Sequence, residues 1–186
     1  QREARAIAAL EHPHIVRIYD FDTDGDLAFI VMEYLSGSSL KARLREASCR
    51  NEYLPLDQVQ QIISALADAL DYAHRHGVIH RDIKPANIKI TPAGKAVLVD
   101  FGIFKVAAPG VQTSAGARAV TPGFSPPEQY GQGLTDVTSD VYSLGATLYA
   151  CLTGTIPEDG LSRATGKAEL TPVRDFAPKT SRKLAM

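Results

Sequence analysis

The sequence predicts an α+β fold, and three features of its patterning carry that expectation. Two β-rich runs flank a turn cluster between Ile15 and Tyr34. An apolar repeat at helical spacing then extends from Asp57 to Gly77. A further apolar helix is legible from Asp140 to Thr153. Strand pairing is therefore expected early in the chain, and helices in most of the remainder.

The chain of 186 residues has room for one domain with a real core, or for part of a larger one. Hydrophobic residues at 45% and charged residues at 22% are ordinary for a globular protein and argue against disorder. A formal net charge of -1, with no long basic run, offers no electrostatic footprint for nucleic acid or an anionic membrane. Cys49 and Cys151 stand far apart without metal-ligand spacing and read as thiols of a reducing compartment. No apolar run reaches bilayer length, and no signal-peptide pattern is present. Because the chain opens at Gln1 directly in helix-like sequence, it is expected to be a piece of a longer protein.

Residues Gln1 to Glu11 are good helix formers with Ile7 and Leu10 on one side, and His12-Pro13 stops them because proline disfavours a helical residue before it. Ile15 to Tyr19 and Leu27 to Tyr34 are the β-rich runs, joined as a hairpin by Asp22-Thr23-Asp24-Gly25-Asp26. Ser36-Gly37-Ser38-Ser39 reads as a flexible joint, with Ser38 or Ser39 capping a short helix through Ala47. Asp57 is the expected cap of the long helix, whose stripe Val59, Ile62, Ile63, Leu66, Leu70 and Ala73 ends at Gly77. Core packing accounts for that stripe. Ile88-Lys89-Ile90 and Ala96 to Val99 read as short strands joined at Pro92-Ala93-Gly94. Ala107 to Gly123 lacks periodicity and reads as a long loop, a feature usually functional or mobile in compact domains. Val141, Leu144, Leu148 and Leu152 are expected to form the buried face of the later helix, which stops at Gly154; Ile156 to Met186 is polar and weakly patterned.

Two segments carry the chemistry. His80-Arg81-Asp82-Ile83-Lys84-Pro85-Ala86-Asn87 places an acid, a lysine and an amide on one short loop. Val97-Leu98-Val99-Asp100-Phe101-Gly102 ends an apolar run in an aspartate and a Phe-Gly turn. Phosphoryl transfer needs that inventory: a carboxylate for the hydroxyl proton, a cation for the moving phosphoryl group, and oxygen ligands for a hard metal ion. Together the segments resemble the catalytic and metal-binding loops of the eukaryotic-type (Hanks-type) serine/threonine protein kinases. The wording of Pro126-Pro127-Glu128-Gln129-Tyr130 and of Asp140-Val141-Tyr142-Ser143-Leu144-Gly145 is most similar to the bacterial members.

The resemblance implies a bilobal protein-kinase-like fold in which 1–35 is a remnant of the small lobe and hinge, and 36–186 an incomplete, mostly helical large lobe. It implies an enzyme that moves the γ-phosphoryl group of ATP, with Mg2+ or Mn2+, to Ser or Thr hydroxyls of proteins. Carried over residue by residue, Asp82 becomes the base, Lys84 the cation on the transferring group, and Asn87 and Asp100 the metal ligands. Met32 resembles the gatekeeper; Glu33 and Leu35 resemble the hinge whose backbone reads adenine. Glu3 resembles the helix glutamate that holds the phosphate-binding lysine. Thr121 resembles the threonine linking Lys84 to the substrate-docking loop, and with Lys84 it implies serine/threonine specificity. Glu128 resembles the acid closing the activation segment, and Asp140 the aspartate that braces the catalytic loop. Arg81 resembles the arginine of kinases activated by loop phosphorylation, for which Thr113 and Ser114 are the candidate acceptors.

His-Arg-Asp alone is a weak tripeptide, and Asp-Phe-Gly a common turn; the weight lies in segments that keep family order over most of the chain. His80 reads as a packed structural histidine, and His12, His14, His74 and His76 share no zinc-ligand spacing. Lys89 departs from the family, which places an aliphatic residue or methionine under the adenine ring, and Phe104 stands where alanine is common. The competing class is a pseudokinase, a nucleotide-binding or scaffolding module whose usual mark is loss of a catalytic residue; Asp82, Lys84, Asn87 and Asp100 count against it. The glycine-rich loop and its lysine are expected before Gln1, and the last helices after Met186, so the isolated chain is expected to be inert. The use of ATP implies a cytoplasmic domain, whether or not the parent protein is anchored in a membrane. The hairpin around Gly25 is expected to leave an exposed strand edge.

Overall fold

The structure, a computed structural model, describes residues 2–24, 27–101, 120–131, 134–178 and 180–181, and the side chains of 2–4, 23–24 and 27–28 are outside what is described. It is an α+β arrangement. Helix α1 (Arg2–Ala8) leads into the antiparallel hairpin β1 (Ile18–Asp24) and β2 (Leu27–Met32). A three-stranded antiparallel sheet has the order β3 (Ser38–Ser39), β4 (Ile88–Ile90), β5 (Ala96–Leu98). The helices are α2 (Leu40–Cys49), α3 (Leu56–Arg75), α4 (Val137–Thr153), α5 (Gly160–Ala164) and α6 (Val173–Phe176).

The core runs along α3. Val59, Ile62, Leu66, Leu70 and Ala73 are buried, and Ala69 joins them. They pack with Ile7 of α1 and Leu10 just after it, with Ile88, Ile90 and Leu98 of the small sheet, and with Cys151 and Leu152 of α4. Full burial of each large side chain contributes about 1.5–3 kcal/mol before entropy is counted. Helix α3 ends at Arg75, and past an exposed turn at Gly77 (φ 72°) the chain passes into Val78 and His80, both fully buried. That turn fixes where the chemistry-bearing loop begins.

Several boundaries differ from those the sequence predicts. Ile15 and Val16 are not part of the hairpin. Val16 donates to the Leu98 carbonyl (2.9 Å) and Leu98 to the His14 carbonyl (2.8 Å), so this segment bridges in parallel to β5. Asp22 to Asp24 lie in the strand, paired with Phe29 to Leu27, rather than in the turn cluster; residues 25–26 lie outside the described residues. Asp57 does not cap α3: the N-cap is Pro55, with no side-chain hydrogen bond, and Asp57 lies in the first turn, where its charge still suits the helix dipole. Ser39 does cap α2, accepting from the Ala42 N–H at 3.2 Å. Strand β3 at Ser38–Ser39 was not foreseen; Gly37 permits it, because its φ is 108° and a Cβ there would sit 2.2 Å from the Ile90 carbonyl oxygen.

Helix α4 starts before Asp140, at a capping box in which Thr138 N–H donates to Asp136 Oδ1 (2.8 Å) and Asp136 N–H to Ser139 Oγ (3.4 Å). Of its expected face, Leu152 is buried and Leu144 and Leu148 pack against the core, but Val141 does not. Val141 is 64% exposed, whereas Asp140, Ser143, Thr147, Ala150 and Cys151 are inside. The cause is Asp140, which faces the loop that begins at His80; the next residue, about 100° further round the helix, is thrown outward. Burial of Cys151 pushes its thiol up to about 12.

Candidate active site

The loop from His80 to Asn87 follows the buried turn after α3 and closes in a 3-10 turn, Pro85–Asn87, with proline in its first turn. Its centre is Asp82. Lys84 Nζ lies 2.9 Å from Asp82 Oδ1 and 2.8 Å from Oδ2. The same ammonium donates to Thr121 Oγ1 at 3.1 Å, and that hydroxyl stands 3.4 Å from Asp82 Oδ1. Asn87 Nδ2 donates to Asp82 Oδ2 and to its backbone carbonyl, each at 2.8 Å. The carboxylate is thus held by an ammonium and an amide while remaining partly open to solvent. An acid placed this way can accept a hydroxyl proton, and the lysine beside it can meet developing negative charge.

Asn87 and Asp100 are tied through the backbone, since Val99 N–H donates to the Asn87 carbonyl at 2.9 Å. Both hydrogens of the Asn87 amide point to Asp82, which leaves Oδ1, a hard oxygen, as its free donor atom. Asp100 is exposed and has φ 56°, a left-handed conformation uncommon outside glycine. One amide oxygen and one carboxylate suit a small hard cation that completes its shell with water and phosphate oxygens. Among the described residues no group of three or more His, Cys, Asp or Glu could hold a metal by itself.

The loop is braced from below. The fully buried Asp140 accepts from His80 N–H and Arg81 N–H, each at 2.8 Å, and bonds His74 Nε2 at 2.8 Å. Three donors satisfy a charge that would otherwise be costly to bury. Arg81 is left-handed (φ 67°), its N–H fixed by Asp140 and its carbonyl by Gln129 Nε2 at 3.1 Å. Strain of that kind persists only where neighbours over-determine it. His80 is fully buried, and burial holds its imidazole below the usual histidine range. A neutral ring fits both contacts: Nε2–H donates to the Val99 carbonyl (3.0 Å), and Nδ1 accepts from Asp82 N–H (3.2 Å). The buried Phe101 ring lies 4.6 Å from the His80 ring. Glu128 accepts from Ser139 Oγ at 2.6 Å, tying the segment after Thr121 to the start of α4.

A second opening of about 510 Å3 is lined by Val16, Met32, Glu33, Leu35, Lys89 and Asp100. Glu33 N–H is committed to the Arg17 carbonyl at 2.8 Å, so a ligand can meet this residue's backbone only at its carbonyl. Lys89 Nζ reaches the Gly37 carbonyl at 3.3 Å. Glu3 lies in α1, with its side chain outside what is described; Gly102, Phe104, Thr113 and Ser114 lie outside the described residues altogether. Sequence reasoning missed His74 and Gln129. His74 carries no pattern that separates it from the other histidines, and Gln129 is one polar residue in a Pro-Pro-Glu-Gln-Tyr run whose glutamate draws the attention.

A profile of the protein kinase domain matches residues 1–179. The chain is 38% identical over 162 residues to serine/threonine-protein kinase PrkC of Bacillus subtilis, covering 87% of this chain and 24% of that protein. It is 40% identical over 162 residues to serine/threonine-protein kinase PknB of Mycobacterium leprae, covering 84% of this chain and 25% of that protein. It is 39% identical over 158 residues to serine/threonine-protein kinase PknL of Mycobacterium tuberculosis, covering 85% of this chain and 39% of that protein. The chain therefore spans between about a quarter and two fifths of the length of these relatives.

Proposed function

The chain belongs to the protein kinase domain family, and we propose that the protein containing it transfers the γ-phosphoryl group of ATP to serine or threonine hydroxyls of proteins. The observation that carries the proposal is Asp82 held jointly by Lys84, Thr121 and Asn87. Asp82 orients the acceptor hydroxyl and takes its proton as the new O–P bond forms and the bond from the γ-phosphorus to the β,γ-bridging oxygen breaks, with ADP as the leaving group. Lys84, already bridging Asp82 and Thr121, stabilises charge on the transferring group. Asn87 Oδ1 and Asp100 would hold Mg2+, which when bound would neutralise phosphate charge. Residues 1–35 form the remaining part of a small lobe with its hinge, and 36–186 part of the large lobe. Adenine is read at the Glu33 carbonyl and the Leu35 N–H, with Met32 and Lys89 lining the pocket. Among the described residues no helix is long and apolar enough to cross a membrane.

The test is phosphoryl transfer from labelled ATP with magnesium, comparing the full-length gene product with its Asp82→Asn variant. Transfer by the first and a loss of at least about a thousandfold in the second are expected, as for removal of a positioned base and its orienting charge. Nucleotide binding by both proteins, with transfer by neither, would replace this reading with a nucleotide-binding scaffold.

A further inference from the structure

One face of α2 is built into the site. Lys41, Leu44, Arg45 and Ser48 have the i, i+3, i+4, i+7 spacing that places side chains on one side of a helix, and all of them line a cleft of about 720 Å3. The same cleft is lined by Lys84 and Thr121, the residues bonded to Asp82. It therefore opens onto the position of the acceptor hydroxyl. Leu44 packs against the cluster of Phe124, Ala146 and Ala150 and gives the cleft an apolar floor. Lys41 and Arg45 are exposed at its edge.

The charge on this wall has one sign. No Asp or Glu lines the cleft among the described residues. The acid of α2, Glu46, pairs with Arg50 at 2.7 Å, off the cleft face. Lys41 and Arg45 have no ion pair among the described residues. A merely solvated helix face mixes signs; here the acid is turned aside and the cations stand over an apolar floor. Lys41 and Arg45 are about 6 Å apart along the helix axis. That separation is close to the roughly 7 Å between alternate residues of an extended peptide, whose side chains share a face.

We propose that this face of α2 selects protein substrates carrying Asp or Glu at alternate positions within a few residues of the acceptor Ser or Thr. The proposal rests on the kinase reading and names the substrate class of that site. An acidic, extended segment would lie in the cleft with its carboxylates on Lys41 and Arg45, which raises association and fixes register.

The test uses the full-length protein and threonine peptides carrying Glu-x-Glu, Gln-x-Gln or Lys-x-Lys on either side of the acceptor. Transfer is measured as kcat/KM, and binding by fluorescence anisotropy of the same labelled peptides. The acidic peptide is expected to exceed the neutral one by roughly tenfold, the scale of two exposed ion pairs, and the advantage is expected to shrink with salt. Lys41→Glu with Arg45→Glu should reverse the ratio in favour of the Lys-x-Lys peptide, whereas Arg50→Glu, off the cleft face, should not change it. An unaltered ratio in the double variant, or an equal change in Arg50→Glu, would overturn the proposal. The binding arm needs no transfer. Acid-selective binding without transfer to any peptide counts against the kinase reading and for the α2 face; equal binding of all three peptides overturns the α2 face.

Discussion

The loop around Asp82 and the cleft around Met32 to Leu35 are built on opposite principles. On the loop, side chains hold backbone: Asp140 takes two consecutive N–H groups, Gln129 holds the Arg81 carbonyl, and His80 bonds on both ring nitrogens. In the cleft, backbone does the holding, with Glu33 N–H on Arg17 and Lys89 reaching only a carbonyl oxygen. Proton transfer needs a carboxylate at a fixed place, and a misplacement of about 1 Å costs about a hundredfold. Recognition of a flat purine edge needs only a correctly spaced strand end. The contrast predicts that loop substitutions abolish turnover, while cleft substitutions tune affinity.

The largest effect is expected at Asp140. Asp140→Asn removes the charge and turns an amide donor toward N–H groups that need an acceptor, leaving buried donors unpaired. A stability loss of about 2–4 kcal/mol is expected in denaturant unfolding, with transfer falling more than about a hundredfold. Nucleotide affinity should change by less than about threefold, because no contact of Asp140 reaches the cleft among the described residues. If affinity collapsed together with turnover, the loop and the cleft would be one mechanical unit and the contrast would break.

A smaller effect is expected from His80, and its sign follows from burial. Burial keeps the folded imidazole titrating below the ordinary histidine value of 6.5, so as pH falls through 6.5 the unfolded chain takes up a proton that the folded one refuses. The contribution is therefore intact above 6.5 and drains away below it, at no more than about 1.4 kcal/mol per pH unit. His80→Gln keeps a donor and an acceptor but cannot ionise. Denaturant unfolding of both proteins at several pH values from 7 to 5 checks this, and the wild-type stability should fall more steeply. Parallel profiles would mean that the ring is not held neutral beneath the loop.

How much was legible in the sequence follows the same division. The α3 stripe could be read because burial there is periodic and apolar, and nothing competes with it. On α4 the sequence placed Leu144, Leu148 and Leu152 correctly but not Val141, because a polar residue sets the start of the face: Asp140 turns inward to serve the loop, and Val141, the more apolar residue, goes to solvent. Ile15 and Val16 have the composition of a hairpin strand, but their partner is β5, more than eighty residues away, and only the assembled fold reveals it. Asp82, Lys84 and Asn87 were legible as a motif. Gln129 and His74 were not, because a brace is defined by what it touches, and a glutamine or histidine touches many things in many folds.

The smallest effect is expected in the cleft itself, at Lys89. Its side chain belongs to the central strand β4 and lines the cleft with Met32 and Leu35, yet its ammonium is drawn out to the Gly37 carbonyl at 3.3 Å. A long stem can cover an apolar surface while its charge stays near water. If the stem supplies the surface and the ammonium lies outside, Lys89→Met keeps what matters to a ligand. In the full-length protein the Kd for ATP, measured by displacement of a fluorescent nucleotide, should then shift by less than about threefold, equivalent to about 0.7 kcal/mol. Stability should move by less than about 0.5 kcal/mol, as for a surface substitution. A tenfold weakening would show that the ammonium turns inward to the nucleotide when it binds. The cleft would then rely on a charged side chain as the loop does, and tolerance of substitution would no longer separate the two regions.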